Sequence, residues 1–284
     1  MERQEAHKTV RVGDRSISYT RTGKGAPVLM LHGGGPGASG MSNYVRNIDA
    51  LAAQFDVIVP DMPGYGASTK GLGRDDPVGE LASSMLGLLD ALRIPFAHIV
   101  GNSLGGACGL RMALDAPQRV GRLVLMGPGG IGTTRSLPTP GLKALLNYYK
   151  GEGPSREKLR EFITRYLVAD GAAVPDEVLE TRFQSSIDPE VVAAPPLTGP
   201  SGLKAALRMD FTRDRRLAEM THPTLILWGR EDKVNRPSGA ASLAKRLRNA
   251  DVFMFANTGH WVQWERAEEF NAITAAFLRR AGGA

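Results

Sequence analysis

The chain holds a single cysteine, Cys108. That excludes an intramolecular disulfide and any CxxC or multi-cysteine zinc site, and it fits a reducing compartment. Histidine is sparse too, at five, with neither HExxH nor a clustered His/Cys spacing, so no metal site is expected. GxxxxGK[ST] is missing, which weakens any phosphate-loop reading. No GxGxxG is recognised in a strand–helix context with a ribose-binding acid downstream, so no dinucleotide is expected, nor any other cofactor. No apolar run approaches the length of a membrane span. Residues 1–8 are charged where a signal peptide would need an apolar stretch, so the chain is expected to be soluble, unexported and cytoplasmic. Internal repeats and low-complexity tracts are absent.

What remains is ordinary globular material: 284 residues, 42% hydrophobic and 23% charged. That length suits one core domain carrying an insertion, with enough buried surface to fold without cross-links. Lys plus Arg outnumber Asp plus Glu by 35 to 29. The surplus is spread along the chain, without a zinc-finger, RRM or basic-heptad pattern, so nucleic acid is not an expected partner. It suits solubility and attraction of anionic substrates. Glycine is the informative residue. Many of the 34 cluster at 33–40, 64–73, 101–109 and 127–132. Such clusters mark positive φ or a close approach to the backbone.

Alternating segments at 9–12 and 16–22, split by Gly13 and Asp14, predict a hairpin. Continuous apolar runs at 27–31, 56–59, 97–100, 122–126, 224–228 and 252–255 read as strands buried on both faces. With the hairpin they make eight strands. Helical patterns lie between them at 80–92, 104–116, 239–248 and 265–280. The first carries Leu81, Met85, Leu88, Leu89 and Leu92 on one stripe. This alternation predicts an α/β fold with a mostly parallel, doubly wound sheet. It breaks between about 129 and 220, where 159–167 and 177–183 look helical and 189–200 reads as a proline-rich loop. A helical cap at 130–220 is therefore expected, inserted between core parts 1–129 and 221–284.

The strongest motif is Gly101, Asn102, Ser103, Leu104, Gly105 and Gly106, placed between a strand and a helix. This is the G-x-S-x-G nucleophile elbow in its confirming context. Ser103 must take a strained conformation to project its hydroxyl. A Cβ on the flanking glycines would collide with strand or helix. The Leu104 N–H then stands at a helix N-terminus, ready for a developing oxyanion. A second oxyanion donor comes from His32, Gly33, Gly34, Gly35, Pro36 and Gly37, directly after a strand; Gly34 is preferred and Gly33 is the alternative. A serine needs a base, and His260 alone among the histidines sits on a loop beyond the last strand. His32 could orient a loop, His98 and His222 flank strands, and His7 lies in the charged opening. The orienting acid should fall between serine and histidine, where Asp232 and Glu231 compete.

These residues resemble the α/β-hydrolases and, within them, the meta-cleavage product hydrolases, which cleave carbon–carbon bonds in bacterial aromatic and steroid degradation. The resemblance is carried by 32–40, by Ser42, Asn43 and Tyr44, by 101–106 and 125–130, and by 228–232 and 259–264. It implies Asp232 as the acid. It implies a substrate of the 2-hydroxy-6-oxohexa-2,4-dienoate type, split to 2-hydroxypenta-2,4-dienoate and a carboxylic acid after ketonisation, with Ser103 attacking the ketone and His260 moving the protons. Asn43, Asn102 and Gly33 would line the polar subsite, Trp261 would stand beside the histidine, and Arg182 would grip the dienoate carboxylate. Val234 departs from an aromatic seen in some members, and Tyr166 falls near another often-aromatic position. The expected partners are the dienoate and further copies of the chain, with neither nucleic acid nor membrane. A carboxylesterase or thioesterase with the same triad is the alternative, and a non-catalytic receptor of this fold a third.

Overall fold

The computed structural model describes residues 7–280. Residues 1–6, most of the charged opening, lie outside them. The eight strands are β1 (Lys8–Val12), β2 (Arg15–Gly23), β3 (Pro27–Leu31), β4 (Asp56–Pro60), β5 (Ala97–Asn102), β6 (Val120–Met126), β7 (Thr224–Gly229) and β8 (Ala250–Phe255). They form one sheet in the order β1-β2-β4-β3-β5-β6-β7-β8. The β1–β2 hairpin is antiparallel, β2 runs antiparallel to β4, and the remaining pairs are parallel.

The helices follow in chain order. α1 (Gly40–Tyr44) and α2 (Ile48–Ala52) join β3 to β4, α3 (Pro77–Ala91) joins β4 to β5, and α4 (Leu104–Asp115) joins β5 to β6. Between β6 and β7 lie α5 (Pro140–Asn147), α6 (Arg156–Glu161), α7 (Asp176–Ser186), α8 (Pro189–Ala193) and α9 (Leu203–Arg208). The chain closes with α10 (Ser238–Ala244), α11 (Val262–Glu265) and α12 (Ala267–Leu278).

Strand periodicity explains the layering, because successive side chains point to opposite faces. Leu29, Leu31, Ile58, Ile99, Leu123, Leu125 and Ile226 pack on one side against Leu81, Met85 and Leu88 of α3, Cys108 and Met112 of α4, and Leu243 of α10. Their neighbours Val28, Met30, Val57, Val59, Val100, Val124 and Leu225 pack on the other, against Tyr44, Leu51, Phe270 and Phe277. Cys108 is fully buried there, and burial pushes its thiol well above the usual range.

Two expectations are corrected. The run at 252–255 is not buried on both faces: β8 ends the sheet, and Val252, Phe253 and Met254 are 43%, 44% and 37% exposed. An apolar run fixes a strand but not its place in the sheet. The stretch at 189–200 is not all loop, since Pro189 opens α8 behind an Asp188 cap. Pro at the first helical position carries no N–H that the helix needs. Residues 159–167 are helical in two parts, α6 and then a π-helix at Phe162–Leu167. Leu145, Tyr148, Leu159, Phe162, Ile163 and Phe183 of this segment share a third core with Val234, Trp261 and Trp264. The segment thus rests on the loops that follow β7 and β8.

At the β5–α4 junction Ser103 has φ 52° and ψ −110°. A Cβ on Gly101 would lie 2.5 Å from the Gly105 carbonyl oxygen, and one on Gly105 would lie 2.1 Å from that of Leu31. The turn is therefore compressed against β3. Gly105→Ala should lower stability by about 1–3 kcal/mol through overpacking. Gly199→Ala, whose Cβ would meet nothing within 4 Å, should leave it unchanged. Urea unfolding followed by tryptophan fluorescence checks both.

Candidate active site

Ser103, Gly33, Gly34, Asn43, Asn102, Arg182, His260 and Trp261 line one small polar pocket above the sheet's carboxyl edge, with Gly35 and Phe162. Ser103 stands at the N-cap of α4 but does not cap it. Its hydroxyl is left for other chemistry. The backbone holds the serine from three directions: its N–H donates to the Met126 carbonyl, and its carbonyl accepts from Ala107 and Gly129.

His260 Nδ1 lies 2.7 Å from Asp232 Oδ2, and both side chains are almost wholly buried. The same oxygen accepts from Trp228 Nε1 at 2.9 Å, while Oδ1 accepts from the backbone N–H groups of Val234 and Asn235 at 2.8 and 2.9 Å. A carboxylate with its acceptor positions filled this way is held in one orientation. It presents a fixed acceptor to the ring, so the proton belongs on Nδ1 and Nε2 is left basic. Nε2 is buried and has no hydrogen-bond partner among the described residues. Glu231, the competitor, instead accepts from Thr258 N–H at 2.9 Å and braces the backbone just before His260.

Three of the other histidines have structural partners. His32 Nε2 accepts from Met62 N–H at 2.9 Å while Nδ1 donates to the Gly33 carbonyl at 2.8 Å, and burial lowers its basicity. His98 Nδ1 accepts from Arg122 N–H, and His222 Nε2 faces the Pro117 carbonyl. His7 is exposed.

The two oxyanion candidates separate. Gly33 N–H is directed at Asn43 Oδ1, at 3.3 Å. Gly34 N–H has no partner among the described residues, and Leu104 N–H belongs to the first turn of a helix, where no acceptor four residues back exists. Asn43 Nδ2 donates to the Ser39 carbonyl, and Asn102 Nδ2 bridges the carbonyls of Met126 and His260.

Arg182, on α7, is only 2% exposed. Its Nε donates to the Pro36 carbonyl at 2.8 Å, and its guanidinium carbon lies 5.5 Å from the centre of the Trp261 ring. Trp261 in turn stacks on Trp264. The titratable groups around Arg182 are the hydroxyls of Tyr149, Tyr65 and Tyr148 and the His32 ring, and no carboxylate pairs with it among the described residues. Burial pulls it down to about 10, so it is a cation at neutral pH. The glycine loop makes room for it: a Cβ on Gly35 would lie 2.7 Å from Arg182 Nη2, and one on Gly37 would lie 1.8 Å from the Arg182 carbonyl oxygen. Gly35, Gly37 and Gly40 do carry the letters GxGxxG, contrary to the reading above. What they admit is Arg182 and, at Gly40, the side chain of Val59, which a Cβ would approach to 2.7 Å.

On its other side Ser103 borders an apolar chamber of about 270 Å³, walled by Leu104, Ala107, Leu142, Leu145, Leu146, Met209 and Val234 among others. Val234 also faces the polar pocket. Tyr166 lines neither; its hydroxyl reaches Glu161 at 3.3 Å. The wider π turn brings Phe162 to the pocket instead.

One residue had no signal in the sequence. The Glu265 carboxylate accepts from Gly259 N–H at 2.9 Å and from Ala169 N–H at 2.7 Å, so it joins the histidine loop to the helical segment. Burial raises its pKa above the ordinary value. Beside it, His260 N–H donates to the Leu167 carbonyl at 2.7 Å.

A family model for the alpha/beta hydrolase fold matches residues 26–267. The chain is 38% identical over 276 residues to a 2-hydroxy-6-oxo-6-phenylhexa-2,4-dienoate hydrolase of Comamonas testosteroni, covering 95% of this chain and 93% of the relative. It is 37% identical to a 2-hydroxy-6-oxononadienedioate/2-hydroxy-6-oxononatrienedioate hydrolase of the same species, with 95% and 96% covered. A solved meta-cleavage product hydrolase from Pseudomonas fluorescens IP01 superposes with a TM-score of 0.86 at 31% identity, covering 98% of this chain and 99% of the other.

The uncapped Ser103 and the unpartnered Nε2 of His260 share one pocket, with no hydrogen bond between them among the described residues, and a fluorophosphonate probe tests whether the serine is activated without knowledge of the substrate. The probe should label Ser103, and Ser103→Ala should abolish labelling. Asp232→Asn should slow it by on the order of 10³–10⁴-fold, since the wrong imidazole tautomer then faces the serine. Intact-protein mass spectrometry against time reads all three.

Proposed function

Because the chain belongs to the alpha/beta hydrolase fold family and, within it, to the meta-cleavage product hydrolases, we propose that it hydrolyses the C5–C6 bond of 2-hydroxy-6-oxohexa-2,4-dienoates. The products are 2-hydroxypenta-2,4-dienoate and a carboxylic acid. The observation that carries this reading is Arg182: a buried guanidinium, unpaired with any carboxylate among the described residues, in the same pocket as Ser103. A buried cation without a counter-charge is costly, and a planar carboxylate is its natural bidentate partner. A neutral ester would leave the cost in place.

With the dienoate carboxylate at Arg182, the chain of carbons runs toward Ser103. The 2-hydroxyl loses its proton and C5 gains one, with His260 Nε2 as carrier, giving the 2,6-dioxo form. Ser103 Oγ then attacks C6 as its proton passes to Nε2, and the developing oxyanion meets the N–H groups of Gly34 and Leu104. The C5–C6 bond breaks with its electron pair entering the conjugated enolate of the dienoate half, which takes up a proton from the imidazolium. Water, deprotonated by His260, hydrolyses the acyl-serine to the free acid. Asp232 holds the tautomer and steadies the imidazolium at each stage. Asn102 fixes the backbone of His260, Asn43 orients Gly33, and Trp261 walls the pocket under Arg182.

The helical segment at 130–220 serves in this reading as a cap that closes the site from above. Copies of the chain would associate, which the exposed apolar residues on the edge strand β8 support. A cytoplasmic setting fits the lone, buried Cys108. Among the described residues no helix is long and apolar enough to cross a membrane.

Purified protein should bleach the yellow dienolate absorbance of ring-fission products, and Ser103→Ala should lose this by orders of magnitude. Arg182→Ala should raise KM for dienoates by on the order of ten- to a hundredfold, as expected when a charge-assisted bidentate contact is removed, with little change for p-nitrophenyl esters. Steady-state kinetics on both substrate classes checks this. Hydrolysis of the esters with every dienoate left untouched would instead establish a carboxylesterase.

A further inference from the structure

The reading above fixes which way the substrate lies. The dienoate half points into the polar pocket toward Arg182, so the group on the far side of C6 must enter the apolar chamber across Ser103. The two curated relatives differ by name in that group: one acts on a compound with a phenyl ring there, the other on one that ends in a second carboxylate. The chamber distinguishes these chemistries.

Its wall contains no lysine, arginine or histidine. Leu142, Leu145, Leu146 and Val234 supply much of the surface. Of its polar side chains, Asn235 and Thr134 are engaged elsewhere, and Thr133 and Thr198 offer only neutral hydroxyls. Asn235 donates its backbone N–H to Asp232 and its side-chain amide to the Gly127 carbonyl. Thr134 donates its hydroxyl to Asp210 at 2.6 Å. Asp210 itself stands directly behind that threonine, 1% exposed, and hydrogen bonds from Thr134 and Thr212 hold its carboxyl below the usual range. A second substrate carboxylate would therefore lose its water in a largely apolar space and find no cation on the wall. Arg213 lies behind the same threonine, exposed and outside the lining, with its Nε committed to the Thr134 hydroxyl at 2.7 Å; Arg135 and Arg236 line a separate outer cleft, and Arg236 is committed to the Leu137 carbonyl. A hydrocarbon group meets none of these obstacles and gains contact with the leucine and valine side chains of the wall.

We propose that this chain is selective for ring-fission products whose C6 group is an uncharged hydrocarbon, an aryl ring or branched alkyl, and that it discriminates against those whose C6 chain ends in a carboxylate. The inference rests on the assignment of the dienoate hydrolase activity.

The test compares kcat/KM for the 6-phenyl, 6-isopropyl and 6-(2-carboxyethyl) dienoates with the wild-type protein. The hydrocarbon substrates should be preferred by on the order of 100-fold or more, because burying an unpaired carboxylate is strongly unfavourable. Leu146→Arg, on the half-buried rim of the chamber, should narrow that ratio at least about tenfold by supplying a counter-charge. Product inhibition gives a second measurement that needs no variant: benzoate and isobutyrate should compete, and succinate should not. Comparable turnover of the dicarboxylate by the wild type, or its loss in Arg236→Ala, would overturn the selectivity while leaving the dienoate activity in place. Failure to bleach any of the three dienoates would overturn both.

Discussion

The site depends on one strained turn. Ser103 sits at φ 52°, a region in which a side chain costs about 1–3 kcal/mol and which persists only where the surroundings over-determine it. Here they do. Met126 holds its N–H, Ala107 and Gly129 hold its carbonyl, and Gly101 and Gly105 let helix α4 press against β5 and β3 with no atom to spare. Relaxing the turn would break the hydrogen bonds to Met126 at the end of β6, to Gly129 just beyond it and to Ala107 within α4. The same geometry withdraws the hydroxyl from its capping position at the start of α4. In the proposed mechanism nucleophile and oxyanion donor are thus two consequences of one backbone conformation.

Around that turn the charges are distributed unequally. Asp232 is saturated with donors and fixes the imidazole, whereas Arg182 has one carbonyl and one aromatic face. The first is a finished structural interaction and the second an unfinished one. A protein interior tolerates an unfinished cation only at a cost in stability. In the proposed function, the folded chain therefore holds its substrate preference as stored electrostatic free energy, released when a carboxylate arrives.

What the sequence made legible was local. The elbow, the loop after β3, the hairpin and the strands are each encoded by contiguous residues, because turns and pleats are set by neighbours along the chain. What it left open was decided by distant contacts. Asp232 and Glu231 are adjacent and chemically alike, and only the path of the β7 loop turns one to His260 and the other to Thr258. The run at 252–255 has the composition of a central strand and lies at the edge. Arg182 has no local signature; the resemblance alone singled it out, and its burial follows from Gly35 and Gly37, nearly 150 positions away. Glu265 lies on a short helix whose sequence says nothing of Ala169. The glycine counts were a sound guide to close approach, but what approaches was not written beside them.

The hydrogen bonds from His260 N–H to Leu167 and from Ala169 N–H to Glu265 bear on how such a protein diversifies. Gly259 packs so tightly beneath Val168 that a Cβ there would lie 2.7 Å from its carbonyl carbon. The helical segment is therefore stitched to the very loop that carries the base. Recombination that exchanged the whole segment between relatives would have to bring matching partners for both stitches or misplace the histidine. Single substitutions on the chamber wall, at Leu142, Leu146 or Val234, face no such constraint. New substrate ranges would accordingly be reached one side chain at a time, with the segment and the His260 loop kept together as a single unit.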